Sequence, residues 1–372
     1  MMNKTTWQRV KLGEIAEFSN GKSRPNNVGN IPIYGGNGVL GYADESNCKD
    51  ETIILGRVGA YCGCVYYENQ PIWVSDNALI AKPKNHNSIK YIYYLLKYMN
   101  LNSHAQGSSH PLITQSLLNS LEVEVCVDYE AQQRIAEILS SLDDKIDLLH
   151  RQNKTLESLS LTLFRHTFID NPNRNAWEEV TLNDICLKIA SGGTPSTRIK
   201  EYYSGKINWY STKELDDNFL FDSIQTITEA GLENSSAKLF PKDTIIIAIY
   251  AAPTVGRLGI LTQDSAFNQA ACGLIIDETK CSKEFVFCFL KNERENLNLL
   301  ASGSAQQNLN VEKIKRYTLF LPDKITFNDF QIQAKEFFDK IYNNYKQIQN
   351  LESLRDIMLQ KLLSGEMEIK GD

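Results

Sequence analysis

Residues 135 to 163, IAEILSSLDDKIDLLHRQNKTLESLSLTL, decide how the chain is built. Ile135, Leu139, Leu142, Ile146, Leu149, Asn153, Leu156, Ser160 and Leu163 fall at alternating steps of four and three, so they form one stripe of a helix and predict a heptad seam. A second stretch keeps the same spacing at Phe330, Ala334, Phe337, Ile341, Asn344, Ile348, Leu351, Arg355 and Met358. Each seam holds one asparagine, and both carry Leu-Glu-Ser-Leu, at Leu156 to Leu159 and Leu351 to Leu354. Set antiparallel with residue numbers summing to 497, Asn153 meets Asn344, Leu149 meets Ile348, Ile146 meets Leu351, Leu156 meets Ile341 and Leu139 meets Met358. Leu142 against Arg355 is the one mismatch in that register. Facing asparagines fix register at some cost in stability. About 38 residues at 1.5 Å each would make a rod of roughly 57 Å.

Outward from the helices, the chain says the same thing twice. Trp7, Val10, Leu12, Gly13, Glu14, Ile15 and Gly21 open the first half, and Trp177, Val180, Leu182, Asn183, Asp184, Ile185 and Gly192 open the second. Asp50 to Leu55 is echoed by Lys242 to Ile247, Asp76-Asn77-Ala78 by Phe267-Asn268-Gln269, and Gly107-Ser108 by Gly303-Ser304. Between these landmarks, short apolar runs such as Ile31 to Tyr34, Thr52 to Leu55 and Ala78 to Ala81 alternate with Gly and Asn turns, and Gly35-Gly36-Asn37-Gly38 predicts a hairpin. The first helix leaves one module and reaches the next, and the second must return, which favours antiparallel pairing. The expected segments are a first domain at 1–127, a first helix at 128–168, a second domain at 169–326, a second helix at 327–363 and a tail at 364–372.

At 372 residues and 42% hydrophobic, the chain has material for two cores. No run approaches the roughly 20 apolar residues of a membrane span, and Met-Met-Asn-Lys-Thr-Thr-Trp lacks the apolar core of a signal peptide, so a cytoplasmic protein without membrane contact is expected. The net charge of −6 argues against unspecific coating of nucleic acid. Residues 1 to 127 carry 11 basic and 10 acidic side chains, so affinity for DNA must come from local loops or from a partner.

Several chemical motifs fail on context. Ala16 to Ser23 satisfies the loose phosphate-loop pattern, but Arg24-Pro25-Asn26-Asn27 continues as a turn-rich loop where a helix is needed. Gly36-Asn37-Gly38-Val39-Leu40-Gly41 spells GxGxxG with no helix to follow it. Asp170-Asn171-Pro172-Asn173 lacks the second proline and the aromatic of an amino-methyltransferase. Asp264 with Glu278-Thr279-Lys280 could be a nuclease centre, but has no counterpart in the first half. Cys62-Gly63-Cys64 and Cys281 with Cys288 lack zinc-ligand spacing. Neither a metal nor an organic cofactor is expected.

Polar loop chemistry remains, at matching places in the two halves. Lys22 and Arg24 stand where Thr194 and Arg198 stand in the repeat, and Arg57 and Arg257 lie beside glycine turns from which a guanidinium reaches guanine edges or phosphates. Asn37, Asn77, Lys213 and Asn268 join them, with Asn77 and Asn268 equally suited to capping their own turns. Ser108, His110, Ser304, Gln306, Gln307 and Asn308 complete the expected DNA-contacting set.

Two such modules, each ending in a long helix, resemble the specificity subunit of type I restriction-modification systems. The resemblance rests on Trp7-x-x-Val10-x-Leu12-Gly13-Glu14-Ile15, Ile33 to Gly38, Trp73 to Asn77, Gln132-x-x-Ile135-Ala136-x-Ile138-Leu139 and Leu362-Leu363-Ser364-Gly365-Glu366, and it runs the length of the chain. The family's prolines and Glu-Gln pair before the helix are missing at Val125-Cys126-Val127 and Ala131-Gln132, whereas Pro322 and Phe330-Gln331 stay closer to the pattern. The resemblance implies an α+β chain with two pseudo-twofold-related, mainly β target-recognition domains separated by two long antiparallel coiled-coil helices. It implies a non-catalytic subunit that reads a bipartite site in double-stranded DNA, with two methyltransferase subunits and, further out, motor-nuclease subunits as partners. Alternatives are a type II system whose subunit serves a fused methylase-nuclease, a stand-alone nuclease, and a DNA-independent scaffold.

Overall fold

In the computed structural model, which describes residues 7–107, 111–250, 254–302 and 309–367, the apolar runs of both halves pair into the same set of sheets. The first half has strands β1 Trp7–Lys11, β2 Ala16–Asn20, β3 Ile31–Gly35, β4 Gly38–Ala43, β5 Thr52–Gly56, β6 Val65–Glu68, β7 Trp73–Val74, β8 Ala78–Pro83 and β9 Glu122–Cys126. The second half has β10 Glu178–Thr181, β11 Cys186–Ser191, β12 Tyr203–Tyr210, β13 Asn218–Leu220, β14 Gln225–Ile227, β15 Ile245–Ala248, β16 Leu258–Leu261, β17 Ala266–Phe267, β18 Ala271–Ile276 and β19 Thr318–Leu321. Order β2-β8-β5-β6 in the one is β11-β18-β15-β16 in the other, with β13 added at the edge. Likewise β4-β3-β7 matches β14-β12-β17, including one parallel pairing in each, and β1-β9 matches β10-β19.

Burial explains the central strands. Thr52–Gly56 and Ile245–Ala248 are covered on both faces and flanked on both edges, so they read as unbroken apolar runs without alternation. Each fully buried Ile or Leu there contributes about 1.5–3 kcal/mol. A helix crosses each main sheet, Ile89–Tyr98 capped by Ser88 and Lys283–Asn292 capped by Ser282, each serine Oγ accepting from the amide three residues on.

The two long helices are Tyr129–Phe164 and Lys324–Leu363, the first running on as one wider turn at Arg165–Ile169. Contacts divide the chain into two compact units: Met1–Leu148 with Ile348–Asp372, and Leu149–Gln347. Each unit therefore holds one sheet domain, one end of the first helix and the opposite end of the second. In the first unit Ala131, Ile135, Ala136 and Leu139 share a core with Leu362 and Leu363, and the domain's Leu12, Tyr91 and Leu95 close over them. In the second, Phe164 and Phe168 share a core with Phe330, Ala334 and Phe338 against Phe285 and Leu290. The two helices run antiparallel within each unit.

The register stands at its polar positions. Asn344 Nδ2 donates to Asn153 Oδ1 at 2.8 Å, both side chains 1% exposed. Leu139, Ile146, Leu149, Ile341 and Ile348 are buried, while Leu142, Leu156, Leu351 and Met358 are half-buried. Two details depart from the heptad reading. Phe338, not Phe337, is the buried aromatic, because the helix faces the sheet domain as well as its partner helix and needs a wider apolar stripe. Arg355 is not the bare mismatch that the register implies; its Nη1 donates to Asp143, next to Leu142, at 3.1 Å, and Asp143 also accepts from Tyr94 Oη at 2.8 Å.

The missing Glu-Gln pair at the first helix start is offset locally. Asp128 Oδ1 accepts from Glu130 N at 3.0 Å, and the buried Gln132 bonds Ser88 N, Asn87 Oδ1 and Cys126 O, tying the helix to the sheet domain. At the second start Asp323 Oδ1 accepts from Ile325 N and Thr326 N, so that helix begins three residues before 327.

Candidate nucleic-acid interface

In the first domain the loop after β2 leaves the sheet at Gly21, where a Cβ would lie 2.0 Å from Ser75 O, so only glycine lets the strands approach. Lys22 N donates to Val74 O at 2.9 Å, and Trp73 Nε1 donates to Lys22 O at 3.3 Å, which leaves Lys22 and Arg24 exposed on an anchored loop. The second domain builds the same anchor. Gly193 N donates to Phe267 O at 2.9 Å, and Trp209 Nε1 donates to Gly193 O at 2.9 Å. Trp73 lies on β7 and Trp209 on β12, strands that are parallel neighbours in the duplicated topology, so two different strands supply the same indole bond.

Around the first anchor, three turns converge. Gly36-Asn37 forms the two-residue hairpin turn between β3 and β4 with Asn37 exposed. Arg57 N donates to Asn77 O at 3.2 Å, bringing Arg57 and the exposed Asn77 together. Gln106 and Pro111 to Ile113 are pinned beside them, because Gly59 N donates to Pro111 O, Ile113 N donates to Arg57 O and Gln106 N donates to Leu112 O. Ser108 and His110 themselves lie outside the described residues. Among the described residues Arg57 Nε is a buried donor without an acceptor, a group that an incoming phosphate or base edge would satisfy. Val58 and Tyr61, 40% and 48% exposed, flank it and were not in the expected set.

Around the second anchor, Thr194 hydrogen-bonds Gln269, and the neighbouring Asn268 N donates to Tyr210 O at 2.9 Å. Lys213 stands exposed on the turn Thr212–Glu214 that follows β12, and Arg198 is exposed farther along the loop. Arg257 occupies the turn Thr254–Arg257, which Arg294 grips through Nε to Gly256 O at 2.9 Å while its Nη1 donates to Asp217 at 2.8 Å. Burial pushes the Asp217 carboxyl up, but Arg294 and the Leu258 N–H outweigh it and hold it below the ordinary carboxylate range. Ser304, Gln306, Gln307 and Asn308 lie outside the described residues. Gln269 and Lys238, whose Nζ donates to Ser191 O at 3.1 Å, belong to this edge although neither was expected. Both lie in turns whose partners are distant in sequence, so no local pattern marks them.

Two equivalences drawn from the sequence shift. Hydrogen bonds align Ser75 with Asn268, since Ser75 N donates to Tyr34 O as Asn268 N does to Tyr210 O, so Asn77 corresponds to Ala270 and not to Asn268. Asn268 is a turn cap, its Oδ1 accepting from Ala270 N at 3.1 Å. Arg57 follows β5 whereas Arg257 precedes β16, so the two arginines are not counterparts.

Of the nuclease pattern, Asp264 Oδ1 accepts from Lys242 N at 2.9 Å, and among the described residues no three His, Cys, Asp or Glu side chains gather to hold a metal. No helix among them is long and apolar enough to cross a membrane.

A family model described as the type I restriction modification DNA specificity domain matches residues 4–158 and 175–354, most of both halves. The chain belongs to that family. Its relatives include the type I restriction enzyme MjaIX specificity subunit of Methanocaldococcus jannaschii, 27% identical over 98% of this chain and 94% of the relative. The HindI specificity subunit of Haemophilus influenzae is 24% identical over 79% and 81%. Among solved structures, the type I restriction-modification S subunit from M. genitalium superposes with a TM-score of 0.68 at 17% identity, covering 99% and 98% of the two chains, which establishes the shared fold. The chain is thus a type I specificity subunit by family, with the two sheet domains and two long helices of that fold.

Proposed function

We propose that this chain is the non-catalytic reader of a methyltransferase complex, with the domains at 1–127 and 169–326 each recognising one half of a bipartite site in double-stranded DNA. The observation that carries this reading is the duplicated topology bearing different polar side chains at matching turns: Asn37, Arg57 and Asn77 around the first anchor, Thr194, Lys213 and Asn268 around the second. One scaffold with two unlike edges suits a target made of two unlike halves. Arginine and lysine would hold phosphates while the amides and Arg57 read base edges, and the overall negative charge makes binding depend on a partner and on salt.

Two methyltransferase subunits would dock on the helices, and motor-nuclease subunits would join where restriction accompanies methylation. Equivalent helix positions of the Leu-Glu-Ser-Leu repeat support two copies of one partner: Leu159 is 47% exposed and Leu354 is 45% exposed, where solvation gives a leucine no reason to stand. The test is adenine-methylation mapping of DNA from cells making this chain with its methyltransferase, against cells making the methyltransferase alone. A two-part motif with an unspecified gap, seen only with this chain, is expected; an unchanged methylation pattern with both proteins co-purifying would refute the reading.

A further inference from the structure

The duplication creates a hazard. Two halves with the same topology and the same heptad spacing can pair first with second, as they do in this chain, or each with its own kind from a second copy. Offsetting the second seam on the first by the 195 positions between Leu156 and Leu351 shows what like-with-like pairing would bring together. Asn153 would face Leu149 in place of Asn344, and Asn344 would face Ile348 in place of Asn153. Asp143 would face Ser160 in place of Arg355, and Arg355 would face Phe338 in place of Asp143.

The domains carry the same asymmetry. In the first unit the Tyr94, Asp143 and Arg355 side chains are joined by bonds of 2.8 and 3.1 Å. The equivalent positions in the second unit are Cys288, Phe338 and Ser160, aligned through the serine caps at Ser88 and Ser282; these three carry no charge, and they line one small cavity whose wall also holds Glu157, Asp217 and Lys291. Ser160 is 2% exposed and its hydroxyl is occupied by Leu156 O at 2.8 Å, so it has no proton for a stray carboxylate.

We propose that these polar positions are an address code in the helix seam: they bond one another when the first helix pairs with the second and lose those bonds when either pairs with itself. Like-with-like pairing places both asparagine amides against leucine or isoleucine, each a buried polar group without a partner, and it takes from Arg355 its bond to Asp143, leaving it only its neighbour Asp356. The apolar positions do not discriminate, because leucine and isoleucine pack against either kind. The polar pairs therefore sit where they cost stability and supply partner choice. The code concerns how the chain assembles and holds whatever the domains bind.

The test uses the complete chain divided at Asn171, in the exposed stretch before β10, with both halves made in one cell and each carrying a different tag. Native mass spectrometry of what each tag recovers gives the ratio of mixed to like pairs. The native sequence should give mixed pairs in at least about tenfold excess over statistical assortment, the consequence of several orphaned buried groups at about 1–3 kcal/mol each. Leu149→Asn supplies a sharper variant, since it gives Asn153 an asparagine in the first-with-first register and places an amide against Ile348 in the mixed one. It should raise pairs of first halves at the expense of mixed pairs. Statistical assortment of the native halves would overturn the proposal, and so would a Leu149→Asn variant that lowers all pairings alike.

Discussion

Replacing Asn344 with leucine tests the buried amide pair most sharply. Both asparagines are 1% exposed and joined by one 2.8 Å bond, while among the described residues Asn153 Nδ2 meets no acceptor at hydrogen-bonding geometry. Asn344→Leu strands the whole Asn153 amide, a penalty of about 1–3 kcal/mol that leucine burial only partly offsets. Asn153→Leu with Asn344→Leu removes every stranded group and leaves two apolar side chains, so the double variant should exceed either single variant by about 2–4 kcal/mol and at least equal the native protein. At roughly 2–4 °C per kcal/mol for a unit of this size, the separation is resolvable by melting. Because two units unfold, the assay needs a local signal: with Trp7 and Trp73 changed to phenylalanine, Trp177 and Trp209 report on the second unit alone. A double variant less stable than both single variants would refute the reasoning, since it would mean that the amides contribute more by packing and bonding than they cost by burial.

Three further outcomes follow from the same contacts. Asp217 has its pKa lowered on folding, so the stability it contributes is complete above the ordinary carboxyl value of 3.8 and fades as pH falls below it; Asp217→Asn should cost about 1.5–3 kcal/mol at neutral pH, and a difference from native that stays constant down to strongly acid pH would count against this. Gly192→Ala would push a Cβ to within 2.1 Å of Phe267 O, so it should destabilise the second unit by about 1–3 kcal/mol and leave the first unchanged, as read by hydrogen exchange. Leu362→Ala and Leu363→Ala, at positions 0% and 1% exposed, should each cost the first unit about 2–5 kcal/mol; rapid proteolysis confined to residues 7–148 is the expected sign, and equal sensitivity of both units would contradict the placement of the chain's end in the first core.

The helix seam was legible because Asn153 and Asn344 are long-range partners that a strict period makes visible from either side. Arg355 was not, because its partner sits one residue off the seam at Asp143 and is shared with Tyr94 of a sheet domain, which heptad spacing does not register. Phe338 escaped for a related reason: helical period alone cannot say that a third surface, carrying Phe219 and Phe287, packs on the same helix. The duplicated strands were readable from Thr52–Leu55 and Thr244–Ile247, where both halves keep an apolar run. Turn chemistry resisted, since Ser75 and Asn268 are equivalent by their bonds to Tyr34 and Tyr210 while the residues between landmarks differ in number. Trp73 and Trp209 make the same bond from different strands, so aligning tryptophans would have misplaced both loops.

The central claim is that each domain reads its own half of the target. Replacing residues 1–127 with the same segment of another member of the family, and mapping adenine methylation in cells that also make the methyltransferase, tests it directly. The account predicts a motif in which one half changes while the other half stays as it was. A motif unchanged in both halves, from a chimaera that still supports methylation, would contradict it.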